Sequence, residues 1–123
     1  NIALAITVVV PNADFNMKLF RLPTPGSDHQ AVLNLQAKDA SADDHRWIII
    51  INQERTIQLN GAAVELNYNK LDIRFDSTLE IELTTTYKMP GINCTGVERF
   101  TITPEIFRKF IDNGEFDNKT DDI

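Results

Sequence analysis

The sequence predicts a mainly β fold: an antiparallel β-sandwich, with a flattened β-barrel as the alternative, and one short C-terminal α-helix. Three observations carry that expectation. Apolar and polar residues alternate with period two through most of the chain, as half-buried strands require. Turn-forming pairs punctuate the alternation at intervals of roughly ten residues. A helical spacing of apolar residues appears only after Thr103-Pro104-Glu105.

The elements follow in order. Ile2, Leu4, Ile6, Val8 and Val10 alternate with smaller or polar residues, and Pro11-Asn12 stops the run. Segment 3–10 is far short of the ~20 apolar residues of a spanning helix. It has the length of a signal-peptide core but lacks a basic flank and a good cleavage site, so it reads as a strand. Phe15, Met17 and Leu19 give a second strand, and Ala31, Leu33, Leu35 and Ala37 a third. Between them, Pro23-Thr24-Pro25-Gly26-Ser27-Asp28 reads as a loop, because two prolines lack donors and Gly26 invites a turn. Residues 40–44 form a polar connector. Trp47-Ile48-Ile49-Ile50-Ile51 is apolar on both faces. It suits a central strand covered on both sides, or one whose outer face meets a partner, and the first reading is preferred.

Asn60-Gly61 fits the centre of a type I′ hairpin turn, which would pair Leu59 with Ala62, Ile57 with Val64 and Arg55 with Leu66. A second hairpin is expected with the loop Asp76-Ser77-Thr78, pairing Phe75 with Leu79, Ile73 with Ile81 and Leu71 with Leu83. Such a register sets Arg74 beside Glu80 and Asp72 beside Glu82. Segment 84–87 extends that strand to Pro90-Gly91, and 98–102 makes a last strand with Phe100 and Ile102 facing in. Thr103 is then an N-cap, Pro104 the first helical residue, and Glu105 a carboxylate at the positive end of the helix dipole. Ile106, Phe107, Phe110 and Ile111 share a face of helix 104–112, and Gly114 suits a left-handed closing position. One domain over 1–116 and a frayed acidic tail over 117–123 complete the expectation.

With 123 residues the chain is long enough to bury a core without a disulfide or metal staple. Cys94 is its single cysteine, so no disulfide forms within the chain, which leaves the compartment open. A net charge of −6 argues against nucleic-acid binding or an anionic membrane contact through a basic face. It favours solubility and a protein partner with basic patches; homo-oligomers remain compatible with it.

The chemistry-bearing residues are few. Cys94 with His29 and His45 is the only set of types that supplies a thiol and a base, as a Cys/His-dependent hydrolase would need. All three are expected in separate loops, and no motif depresses the thiol pKa. One Cys and two isolated His fall short of a tight zinc set. Asp43-Asp44-His45 reads as a solvated cluster, and the donor-rich tail 112–122 lacks the spacing of a calcium loop. No metal or cofactor is therefore implied. Asn93-Cys94-Thr95 and Asn118-Lys119-Thr120 match the glycosylation acceptor pattern. Tyr68 and Tyr87 continue inward faces and are assigned to the core.

The reading favoured by this inventory is a non-enzymatic protein–protein interaction module of adaptor, inhibitor, immunity or structural-assembly type. Its binding residues are expected to be Trp47, Ile48 and Ile50 on the doubly apolar strand, with Pro23, Pro25 and Asp28 in the loop before residue 29. A carrier or lectin-like domain for a small apolar or carbohydrate ligand is the alternative, and would need an internal cavity or an exposed aromatic shelf.

Overall fold

The computed structural model describes residues 11–26, 29–111 and 114–119. Eight strands and one helix occur among them: β1 (Phe15–Pro23), β2 (His29–Ala37), β3 (Asp44–Ile51), β4 (Arg55–Asn60), β5 (Ala63–Asn67), β6 (Leu79–Met89), β7 (Ile92–Ile102), α1 (Pro104–Phe110) and β8 (Gly114–Asp117). They build two antiparallel four-stranded sheets, ordered β5-β2-β1-β8 and β4-β3-β6-β7. Among the described residues no barrel closes, and the arrangement is a β-sandwich. The expected strand over 2–10 lies outside the described residues.

Alternation survives into the burial pattern. Phe15, Met17 and Leu19 of β1, Leu33 and Leu35 of β2, Trp47, Ile49 and Ile51 of β3, and Leu79, Ile81 and Leu83 of β6 all enter one shared core. Phe15 meets the edge of Trp47 with ring centroids 5.2 Å apart. Helix α1 closes one end, placing Ile106 and Phe107 in that core. Thr103 caps it as expected, its Oγ1 accepting the Ile106 N–H at 3.3 Å. The helix ends earlier than 112, with Ile111 as an extended C-cap. Gly114 starts β8 instead of closing the helix, so the chain returns to pair with β1 through Leu19↔Gly114 to Asn16↔Asp117. Asp117, assigned to the tail, belongs to that strand, and Asn118 Oδ1 accepts the Phe15 N–H at 3.0 Å.

Both expected hairpins are replaced. The strands β4 and β5 flank Asn60-Gly61 but belong to different sheets, β4 beside β3 and β5 beside β2. Gly61 takes φ +127° while Asn60 stays extended in β4, so no type I′ turn forms there. Gly61 N–H donates to His45 C=O at 3.0 Å, and Ala62 C=O accepts from Ala37 N–H at 2.8 Å, tying the corner to both sheets. The tight β3–β4 turn lies earlier, where Asn52 and Gln53 both adopt left-handed φ, 52° and 60°. Residues 71–75 form no strand: Asn67 Oδ1 accepts the Lys70 N–H at 3.0 Å, Ile73 N–H reaches Tyr68 C=O at 2.8 Å, and Asp72 takes φ 54°. This stretch must cross from β5 in one sheet to β6 in the other, a gap of about 10 Å in a sandwich, and successive turns do so. Ile73 still plugs the core, Phe75 is 39 % exposed, and the expected cross-strand pairs give way to Arg74–Asp76 and Arg99–Glu82.

Strand β7 begins at Ile92, six residues before the expected 98, because Pro90-Gly91 makes a two-residue turn between Met89 and Ile92. Gly91 sits at φ 80°, the position a type II turn reserves for glycine after proline. Gly96 lies where the segment before β1 crosses β7, and a Cβ there would collide with the Pro11 carbonyl oxygen. Gly96→Ala is therefore expected to destabilise the fold by about 1–3 kcal/mol. A thermal melt of the variant checks this, and an unchanged midpoint would show that the Pro11 crossing is not held in solution.

Candidate partner-binding surface

The outer face of sheet β4-β3-β6-β7 carries the residues on β3 that alternate with its core set: Asp44, Arg46, Ile48 and Ile50. Register places Ile48 between Gln58 of β4 and Glu82 of β6, and Ile50 between Thr56 and Glu80. Both isoleucines are only half-buried, and no layer of described residues lies over them. The strand is central, but among the described residues it is covered on one face alone, and its other face is half-buried, where cover on both sides was expected. Exposed Val97 of β7, 41 % accessible, points to the same outer side through its partner Thr84. Arg99 and Glu82 form an exposed ion pair at 2.9 Å beside Ile48. At this exposure the pair contributes little to stability, and it frames the apolar strip with charge.

At the Asp44 end the face opens into a recess of about 720 Å³, lined by Asp43, Asp44, Arg46, Asn60, Thr84, Thr86 and Thr95 among others. Its walls are the 40–44 connector and the Asn60-Gly61 corner. The connector is fastened from behind. Ser41 Oγ donates to Asp39 Oδ1 at 2.6 Å, Tyr87 OH donates to Asp39 Oδ2, and the two hydroxyls lie 3.1 Å apart. His45 Nε2 is 2.7 Å from Asp39 C=O, and the Lys88 N–H donates to Asp43 Oδ2 at 2.6 Å. The Ser41 hydroxyl first, and the Tyr87 hydroxyl next, hold the Asp39 carboxyl below the usual carboxylate range. Tyr87, assigned to the core, is half-buried and serves this loop, whereas Tyr68 is buried as expected, and burial pushes its phenol well above the ordinary value.

The expected binding residues separate into three places. Trp47 is wholly buried, its Nε1–H donating to Gly61 C=O at 2.7 Å, so it supports the outer face from beneath and presents nothing on it. Ile48 and Ile50 stand on that face. Pro23 closes β1, not the loop assigned to it, and Pro25 is exposed in the turn beyond, both in the other sheet's hairpin. Asp28 lies outside the described residues. The loop and the isoleucine strip therefore do not form one surface.

The thiol and imidazoles are on strands and not in loops: His29 opens β2, His45 lies in β3 and Cys94 in β7. Cys94 is buried with Met89 Sδ 3.8 Å from its Sγ, and the ring of His45 is directed to Asp39 C=O. Among the described residues, no group of three or more His, Cys, Asp or Glu is arranged to hold a metal. Tail residues 112–113 and 120–122 lie outside the described set. Of the two acceptor triplets, Asn93 is exposed on β7, while the Asn118 side chain is engaged with Phe15. Among the described residues no helix is long and apolar enough to cross a membrane.

The fold and this face define a class, an antiparallel two-sheet sandwich with an apolar strip on one outer side. Comparison with known protein families, characterised proteins and solved structures finds no match for the chain.

The Asp39 brace carries a pH dependence whose sign follows from its lowered pKa. Its contribution is present above the ordinary aspartate range and is lost as pH falls through the depressed folded value. Tyr87→Phe, which removes one donor, is expected to move the Asp39 midpoint up toward the ordinary value. Carboxyl-carbon NMR titration reads this directly; an unmoved midpoint would show that the Tyr87 contact is not made in solution.

Proposed function

We propose that the protein is a non-enzymatic protein–protein interaction module that docks its partner on the outer face of β3, β6 and β7. The observation that carries the reading is the position of Ile48 and Ile50: outward-facing, half-buried, on a central strand, with polar neighbours at their flanks and no described residues layered above them. A central apolar strip with a polar rim is the usual anatomy of a docking patch. The adjoining recess would receive a projecting side chain or loop of the partner. The net charge of −6 favours a partner with a basic surface, and binding through it would weaken with salt.

The alternative, a carrier or lectin-like domain, would draw on the recess, and on a mainly apolar hollow lined by Phe75, Phe107 and Ile111. The core between the sheets is filled by Trp47, Phe15, Leu33 and their neighbours, which leaves an apolar cargo no room there. The recess lining carries hydroxyls and carboxylates without an aromatic platform, so a sugar would lack its stacking surface.

Ile48→Thr with Ile50→Thr keeps β-branched side chains in the strand while removing the apolar strip. The double variant is expected to fold with a stability change of about 1 kcal/mol. Its capture of a partner from the native source should fall at least tenfold relative to the unaltered chain, read by affinity capture at matched concentrations. Equal capture by both chains would move the docking surface elsewhere.

A further inference from the structure

Between helix α1 and the turns that follow β5, the surface holds another concavity. It is a mainly apolar hollow of about 450 Å³, lined by Arg21, Phe75, Asp76, Phe107, Arg108 and Ile111. Its size falls within the range of small-molecule sites, roughly 300–1,000 Å³. The floor is aromatic. Phe75 lies against Phe107 with ring centroids 4.9 Å apart, and Tyr68 backs both, at 6.3 Å from Phe75 and 5.2 Å from Phe107. Tyr68 and Phe107 are buried, whereas Phe75 keeps part of its ring open to solvent.

The turn that carries Phe75 fixes it in this position. Ile73 before it plugs the core, and the Ser77 N–H donates to Arg74 C=O at 3.1 Å, so the chain reverses around Phe75 and Asp76. Arg74 Nε and Asp76 Oδ1 pair at 3.2 Å across the same turn. Its far end is anchored to Asn52, whose Nδ2–H donates to Ser77 Oγ at 3.3 Å and whose Oδ1 accepts the Thr78 N–H at 2.9 Å. A ring held in this way loses little freedom when a ligand meets it, which keeps the cost of binding low.

The rim carries positive charge on a chain of net charge −6. Arg21 of β1 and Arg108 of α1 both border the hollow, and Asp76 on the same rim is engaged by Arg74. The Arg108 pair with Glu105 is long, 3.7 Å, and exposed at both ends, so a ligand carboxylate can take over the guanidinium at small cost. A guanidinium fork matches a carboxylate with two parallel hydrogen bonds. We propose that this hollow binds a small aromatic carboxylate, with its ring against Phe75 and Phe107 and its carboxylate on Arg108. Arg21 adds positive potential beside it. Offset or edge-on ring contacts supply attraction beyond area burial, and the charge at the rim sets the orientation. A neutral aromatic would forgo the rim, and an inorganic anion the floor. The site is independent of the reading that places a partner on Ile48 and Ile50, and either can fail alone.

NMR titration of the full chain with hydrocinnamate, a phenyl ring on a short carboxylate chain, tests it. Saturable shifts are expected at the rings of Phe75 and Phe107, the methyls of Ile111 and the Arg108 Nε–H, with a Kd of about 1 mM or below. Hydrocinnamyl alcohol, with the same ring and chain but no charge, should bind about tenfold more weakly. Arg108→Gln should weaken hydrocinnamate by about the same factor and leave the alcohol unchanged, with undisturbed Tyr68 signals showing that the variant has folded. No saturable shift up to about 10 mM would overturn the proposal. So would shifts spread over surface Lys and Arg, or equal affinity for acid and alcohol. Binding of a peptide that ends in phenylalanine, without binding of hydrocinnamate, would assign the hollow to a protein partner and overturn the small-molecule site as well.

Discussion

The sandwich depends on a corner. At Asn60-Gly61-Ala62 the chain leaves one sheet for the other, and the backbone there satisfies both: Gly61 donates to β3 and Ala62 accepts from the end of β2. The Trp47 indole, fully buried, closes the same corner by donating to Gly61 C=O. The sheets are thereby held across a slot of about 10 Å, in which each strand can present only one of its faces. A positive φ is required at Gly61 because the chain must turn out of the plane of its own sheet, a bend that an L side chain adopts with strain. The inward set on both sides of the slot, from Phe15 to Leu83, follows from this one geometric condition.

Once the slot is filled, one outer surface is left over. The outer face of β3 is unfinished in side chains: Ile48 and Ile50 keep apolar area that water wets, and covering it gains free energy in proportion to area, without direction. Such a surface suits a partner of complementary shape. The hydroxyl-lined recess at the Asp44 end adds a second element, shaped by a connector that Asp39, Ser41, Tyr87 and His45 hold in place.

That brace illustrates what pattern reading misses. Asp39, Ser41 and His45 are close in sequence, and their proximity was open to inspection. Tyr87 arrives from a distant strand, and its parity pointed to the core, because a strand's alternation says which side a residue faces but not where the opposite layer stops. Tyr87 lies beyond the last β6 residue that pairs with β3, Thr86, so its inward direction leads to a loop. Trp47 erred the other way. Opening an apolar run, it was assigned to a binding surface, while parity with Ile49 and Ile51 would have placed it inside. Ile48 and Ile50 were legible as a candidate strip for the same reason that their half-exposure was not: sequence gives the face, and how far that face is covered is a property of the assembled sheets.

Local chemistry determined a good deal of this protein on its own. Alternation specified the strand-rich class and most core residues, and Thr103-Pro104 specified the start of the helix, because side-chain direction and capping act over a few bonds. Strand partners belonged to the tertiary structure. Asn60-Gly61 has the chemistry of a hairpin turn and became a crossing between sheets, while Asn52-Gln53, with a weaker signature, took the tight turn. Leu71, Ile73 and Phe75 have the period of a strand and became a chain of turns. The physical reason is common to all three. A turn residue sets which φ values are easy, but which strand lies across the turn is decided by the burial of whole faces, and that free energy is summed over residues far apart in the chain.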